Sequence, residues 1–410
     1  MTFDSVVTLD RLYPAGVFFC ARTTRKMMRW NVGNAQALPQ YRLDATPAQL
    51  VGFAGAMPFV AHEAAVTPLA RNFIVHCGLP GAGDLHTYQT EQDALEVAKH
   101  LIRRGGKLVH NFGTLPGLET GDGMLLPIDE HLRLNAKVTI DEFVSEQHLP
   151  RRTRIVAREL ESYLASHLDG PVFVKVSGVV SSGGGAGVWH CTDIESNVKA
   201  VGIVSDRMKP GDQLIVETDC QPLHSWCAGI SILDAGVTWL GASRQVFHSP
   251  ARQAGNELTG EPPTAIKELA VGIAERARSR GYRGIAGFDI GEIQDAHPVV
   301  FDLNFRPNSS TGLLLAGRAA LNRTSLPLAR TFHLRHQGPL EQLLDAVEPE
   351  AAAGRIIPGS VFDAETYRST TDDPATRSCL DGWLLAETGE EAAAYPGTVA
   401  ARLKSRRKSG

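Results

Sequence analysis

The stretch IAGFDIGEIQDAHPVVFDLNFRP, residues 285–307, constrains the fold more than any other part of the chain. Centred between Asp295 and Ala296, it reads as a β-hairpin in which Asp289 and Asp302 face each other across the ladder. The two-residue period of a strand puts Asn304 and Arg306 on the same face as Asp302. The opposite face collects Phe288, Ile290, Phe301, Leu303 and Phe305, an apolar layer that requires a core beneath it. Two opposed carboxylates repel unless a cation lies between them, and two Asp with an Asn supply oxygen ligands of the kind Mg2+ takes. A surface hairpin with a polar outer face is the other reading, and a one-residue slip in register would scatter the set.

A second constellation surrounds a lysine. Only ten of the 41 basic side chains are Lys, and one of them, Lys175, interrupts the apolar strand VFVKV. A Lys in a buried strand needs an anionic partner or loses its charge. Immediately after it runs SGVVSSGGGAGV, with Ser181, Ser182, Gly183, Gly184, Gly185, Ala186 and Gly187. Glycines let backbone N–H groups close on an anion with no side chain in the way, so Lys plus this run suits a polyphosphate. It is not a Walker loop, because GK[ST] is absent and the Lys precedes the glycines. The competing reading is a flexible loop after an ordinary edge strand.

At 410 residues the chain exceeds one hydrophobic core, and its composition is that of a globular protein. Residues 72–77, NFIVHC, read as a strand, GLPGAGD as a loop, EQDALEVAKHLIRR as a helix and KLVHNF as a strand. The first 130 residues therefore form an α/β domain with a parallel sheet. From 153, TRIVARELESYLASHL reads as an amphipathic helix, with Ile155, Leu160, Leu164 and Leu168 along one side. Further strands are expected at 213–218, 228–234 and 237–241, and helices near 193–206 and 264–280. Residues 331–410 carry no readable chemistry, and the basic tail RLKSRRKSG is expected to lack structure. The net charge of -4 excludes a broadly basic nucleic-acid binder. With no apolar stretch of membrane length, no targeting segment and six scattered Cys read as free thiols, a cytoplasmic protein without membrane or nucleic-acid partners is expected.

The strand Lys, the glycine-rich run and the downstream D…D-x-N-x-R pattern together resemble the ATP-grasp superfamily of carboxylate–amine ligases. The resemblance covers roughly residues 130–315. It implies an N-terminal Rossmann-like pre-ATP-grasp domain (1–130), then an ATP-grasp fold made of a central subdomain (131–220) and a C-terminal subdomain (221–330), with 331–410 as an extension. Carried over, Lys137 in NAKVTIDEF resembles the first ATP-binding lysine and Lys175 the second. Residues 181–187 resemble the flap over the phosphates, Glu217 in QLIVETDC the acid that meets the adenine amine, and Cys220 part of the wall around the base. Asp289, Asp302 and Asn304 resemble the magnesium ligands, and Arg306 the arginine that steadies the transition state. Read without the family, Lys137 caps a helix end, Glu217 is an exposed edge-strand acid and Arg306 a structural partner of Asp289. Two departures stand out: the second metal acid is Asp302 where Glu is usual, and no acid occupies the ribose position in QPLHSWC. Arg244 and His248, in SRQVFHSP, are candidates for a substrate carboxylate, with a solvated loop as the alternative.

The resemblance implies ATP and two Mg2+ ions, with Mn2+ as a substitute. It implies a small-molecule carboxylate and an amine or peptide acceptor joined through an acyl phosphate, and it leaves room for a homodimer. In wording, the glycine run and the N-terminal domain are most similar to pheganomycin-type peptide ligases of antibiotic biosynthesis. A kinase, a thiol ligase and a non-catalytic nucleotide-binding scaffold remain as alternatives.

Overall fold

The computed structural model describes residues 6–22, 39–109, 115, 117–118, 123–166, 170–177, 187–371 and 373–409. Strands β1 (Val17–Cys20), β2 (Phe59–His62), β3 (Leu85–Tyr88) and β4 (Lys107–Val109) form a parallel sheet in the order β3-β2-β1-β4. The helix Glu91–Arg103 is opened by a capping box between Thr90 and Asp93 and buries Ala94, Ala98 and Leu101. The segment 72–77 differs from expectation: it belongs to the helix Pro68–His76 rather than to a strand. Thr67 accepts a hydrogen bond from the Ala70 amide and Pro68 sits at the first turn, so a local cap overrides the β-branched composition. Ala70, Phe73 and Ile74, spaced three and one apart, are the buried side of that helix.

The second sheet holds β5 (Arg152–Val156), β6 (Val172–Val176), β7 (Val188–Cys191) and β8 (Gln213–Thr218), in the order β5-β8-β6-β7, all antiparallel. Here too a helix expectation is corrected. Residues 152–156 form a strand because Arg152 and Arg154 alternate with Thr153 and Ile155, and the helix runs only over Leu160–Ser166. Leu168 lies outside the described residues. One face of this sheet (Ile155, Val174, Val176, Leu214, Val216) packs with Leu160, Leu164, Ala200 and Val204 into a core of its own. The other face carries Arg152, Phe173, Lys175 and Glu217, aligned by the register Arg152↔Glu217↔Phe173.

The third sheet has eight strands: β9 (His224–Leu233), β10 (Gly236–Ser249), β11 (Arg252–Leu258), β12 (Gly284–Glu292), β13 (Val299–Asn304), β14 (Leu328–His336), β15 (Ile356–Phe362) and β16 (Ser378–Ala386). Their order is β13-β12-β9-β10-β11-β14-β16-β15. Residues beyond 331 therefore complete the sheet that begins with the hairpin. The basic tail, expected to lack structure, is instead helix through Ser409, anchored by buried Ala392, Tyr395 and Val399. The largest apolar cluster runs from the N-terminal sheet into these last strands, joining Phe19, Phe53 and Phe59 to Phe332, Phe362 and Trp383. Polar contacts repeat the union: Ser360 donates to the Ala45 carbonyl and the Asp363 amide to that of Ala64. Gly382 on β16 tests it, because a Cβ there would lie 2.5 Å from the Ile357 carbonyl oxygen and 3.3 Å from both the Gly359 nitrogen and the Phe332 ring. Gly382→Ala is expected to lower stability by about 1–3 kcal/mol in urea denaturation, with the N-terminal domain unfolding in the same transition.

Candidate functional site

The hairpin pairs as its symmetry requires, with Asp289 opposite Asp302, Phe288 opposite Leu303 and Gly287 opposite Asn304. A β-bulge then intervenes: Ile290 pairs with Val300, leaving Phe301 as the extra residue. This overturns one expectation. Val300 takes the buried place in the apolar layer beside Phe288, Ile290, Leu303 and Phe305, and Phe301 turns to the opposite side.

That opposite side is a cavity of about 660 Å³ between the second and third sheets. It brings together Lys137, Lys175, Glu217, Cys220, Asp289 and Asp302, from five separate stretches of chain. Lys137, at the start of the short helix Lys137–Glu142, donates to Asp302 Oδ2 at 2.7 Å. Lys175 forms an ion pair with Glu217, donates to the Phe301 carbonyl at 3.2 Å, and lies over the Phe301 ring. Glu217 is therefore not an exposed edge acid: it is 3 % exposed, between Lys175 and the Arg152 guanidinium 3.7 Å away. Both lysines are thus engaged by carboxylates at the cavity wall.

Asp289 feels two costs at once. Burial, and then the neighbouring Asp302 carboxylate, push it up to about 6, although Cys227 and Gln245 hydrogen-bond to it. The Cys227 thiol, itself pushed up by burial, is held by the Asn308 amide at 3.0 Å and the Ser310 hydroxyl at 3.3 Å. Arg306 is 4 % exposed, and burial lowers it to about 10, with Asp302 and Asp289 opposing that shift. It donates to Asn304 Oδ1 at 2.7 Å and to the Pro307 carbonyl at 3.1 Å. Among the described residues no group of three His, Cys, Asp or Glu side chains forms a metal cluster. Two opposed carboxylates with one amide oxygen nevertheless fit a hard dication that completes its shell with water and phosphate.

The segment after Glu217 walls the cavity as far as Ser225. Asp219 Oδ2 lies 2.9 Å from His190 Nε2, and the His190 ring stacks on Phe173. Where an acidic ribose contact is absent from QPLHSWC, His224 stands, its Nδ1 accepting from Arg244 at 2.9 Å. Arg244 and His248 both reach the cavity from β10. Of the glycine-rich run, Ser181, Ser182, Gly183, Gly184, Gly185 and Ala186 lie outside the described residues; Gly187 is the turn that leads into β7.

Comparison with known proteins gives the family. Residues 8–124 match the N-terminal domain of L-aspartate–L-methionine ligase, and residues 150–304 match the ATP-grasp domain of the same ligase. Together these spans cover well over half of the chain. The chain belongs to the ATP-grasp carboxylate–amine ligases. Solved structures agree in fold. This ligase is similar to an N5-carboxyaminoimidazole ribonucleotide synthetase with ADP (12% identity, TM-score 0.58, covering 99% of this chain and 100% of that one). It is also similar to the N5-carboxyaminoimidazole synthetase of Staphylococcus aureus with ADP (11% identity, TM-score 0.53, covering 97% and 99%). A third is the phosphoribosylamine–glycine ligase of Thermotoga maritima (16% identity, TM-score 0.51, covering 78% and 91%). The ligase binds ATP and forms a carbon–nitrogen bond from a carboxylate and an amine. None of its described helices is long and apolar enough to cross a membrane.

Several residues at the site were not legible in the sequence. Arg152 was hidden by the helix reading of its strand, although its alternation with Thr153 and Ile155 was there to be read. Gln245 and Cys227 meet Asp289 only because β9 separates β12 from β10 in the sheet. The raised Asp289 carboxyl yields a prediction with a definite sign. Its proton is held more tightly folded than unfolded, so the metal-free protein loses stability as pH rises from about 4 through about 6. Asp289→Asn should therefore stabilise the metal-free ligase by about 1–2 kcal/mol at pH 7.5. In denaturant titrations at the two pH values, the gain should disappear near pH 4.

Proposed function

We propose that the ligase activates an amino-acid carboxylate as an acyl phosphate and passes the acyl group to the amine of a second amino acid or peptide. One observation carries this reading: Lys137, Lys175, Asp289 and Asp302 converge on one cavity large enough for a nucleotide. In this reading Lys175 and Lys137 leave their carboxylates to hold the phosphates. Asp289, Asp302 and Asn304 would hold Mg2+, which would offset charge on the phosphoryl group. Glu217 and the backbone around Cys220 receive the adenine.

The chemistry then balances. A carboxylate oxygen of the acid attacks the γ-phosphorus as the bond to the β-phosphate oxygen breaks, giving ADP and an acyl phosphate. The amine attacks the acyl carbon, phosphate leaves, and the amine loses a proton to solvent. Arg306 lies just past the end of β13, fixed by Asn304 and the Pro307 carbonyl, and would stabilise the oxyanion of the second step. Excluding water from the cleft protects the acyl phosphate from hydrolysis.

The family match supports an aspartate-like acid and a methionine-like amine as the first pair to try. Arg244, half-buried and facing the cavity, suits a carboxylate of such a substrate, and His248, exposed further along the same strand, lines the same cavity. Leu223 and Phe247, 53 % and 42 % exposed at the rim, suit an apolar side chain. The likeness of the glycine run to peptide ligases of antibiotic pathways supports a product among peptide natural products, made in the cytoplasm.

Purified ligase with ATP, Mg2+, L-aspartate and hydroxylamine is expected to give an aspartyl hydroxamate and ADP. AMP with pyrophosphate, or ADP with no hydroxamate from any amino acid tried, would sink the acyl-phosphate route. Lys175→Ala should lower turnover by at least about a hundredfold, the scale of losing one electrostatic contact to the reacting group, while the circular dichroism spectrum stays that of the parent.

A further inference from the structure

We propose that Arg152 is the relief partner of Glu217, taking over its carboxylate when Lys175 turns to the phosphates of a nucleotide. The inference rests on the reading of Lys175 as a phosphate ligand and adds a positioning residue to it.

Lys175 has one ammonium and, in this structure, two acceptors: the Glu217 carboxylate and the Phe301 carbonyl. Drawing it to a polyphosphate removes the ion pair from a carboxylate that is 3 % exposed. A buried carboxylate left alone takes up a proton or pulls the lysine back, and either outcome weakens nucleotide binding. Arg152 is placed to prevent this. It lies directly opposite Glu217 in the β5–β8 register, so the two side chains share a face. Its Nη2 is 3.7 Å from Glu217 Oε1, within ion-pair range and too long for a hydrogen bond.

Arg152 also has donors to spare. Nη2 donates to the Lys137 carbonyl at 2.7 Å, whereas Nε and Nη1 are buried without a hydrogen-bond partner among the described residues. Unused donors beside a buried carboxylate are expensive to keep unless that carboxylate sometimes needs them. A shift of under 1 Å, roughly the difference between 3.7 Å and an ordinary charge-assisted hydrogen bond, completes the exchange. Through the Lys137 carbonyl the same guanidinium is tied to the segment carrying the other lysine, so both phosphate-binding lysines stand on groups that Arg152 touches.

The test is a mutant cycle on the full chain. Without nucleotide, urea midpoints are measured for Lys175→Met, Arg152→Met and the double variant. Either single variant leaves Glu217 one cation; the double leaves it none, so its loss should exceed the sum of the singles, and adding Glu217→Gln should remove the excess. Additive losses overturn the proposal. With nucleotide, Arg152→Met should weaken ATP binding roughly tenfold, the scale of one charged hydrogen bond, and leave the KM values for acid and amine unchanged. Arg152→Lys should recover most of the affinity. Parental ATP affinity in Arg152→Met overturns the proposal, and this arm also serves if the double variant does not fold. Failure of the underlying reading is seen separately, as parental ATP affinity in Lys175→Met.

Discussion

Asp289 and Asp302 oppose each other on neighbouring strands, and the rest of the site can be understood as an answer to that repulsion. Bare, the pair would splay the hairpin or drive a proton onto one member, and Asp289 is indeed pushed up toward neutral pH. Lys137 supplies the nearest counter-charge from outside the hairpin, Cys227 and Gln245 donate to Asp289 from within the sheet, and Arg306 lies buried on the same side. The apolar layer beneath, from Phe288 to Phe305, keeps the strands from sliding apart to relieve the stress. A hairpin kept in this condition holds a standing demand for a cation.

The second sheet poses the matching problem in reverse. Lys175 and Arg152 stand on a face turned to the cavity, where charge is costly, and Glu217 is the anion they share. Two sheets, each carrying charge that the other must balance, leave the cleft held by Lys137 on Asp302 and by Lys175 on the Phe301 carbonyl. In the proposed function, a magnesium nucleotide would bring anions for the lysines and a cation for the aspartates together, an exchange of partners that neither creates nor strands net charge.

How much of this could be read beforehand depended on range. The facing of Asp289 and Asp302 was legible because a hairpin is local and nearly palindromic about its turn. The bulge at Phe301 was not, because an inserted backbone residue changes the facing of a side chain without changing the order of letters. Lys175 was conspicuous as a charge in an apolar strand, yet its pairing with Glu217 depends on β6 lying beside β8, which no spacing reveals. The helix at 68–76 was missed for the opposite reason: its composition suits a strand, and Thr67 with Pro68 decides the matter from one end. The last eighty residues stayed silent because, among the described residues, their strands pair with β11 and with one another, across long separations.

The strip of sheet from β5 to β8 has its own small core, while the N-terminal sheet and the last strands share one. Cooperativity should follow that division. The β5–β8 sheet can open and reclose as a unit of low local stability, its amides exchanging with solvent well before those of the eight-stranded slab. A ligand that bridges the two would then bring the faster-exchanging part up toward the stability of the slower one. Bound nucleotide would be legible in the amides of β5 and β8, far more than in those of β14 to β16.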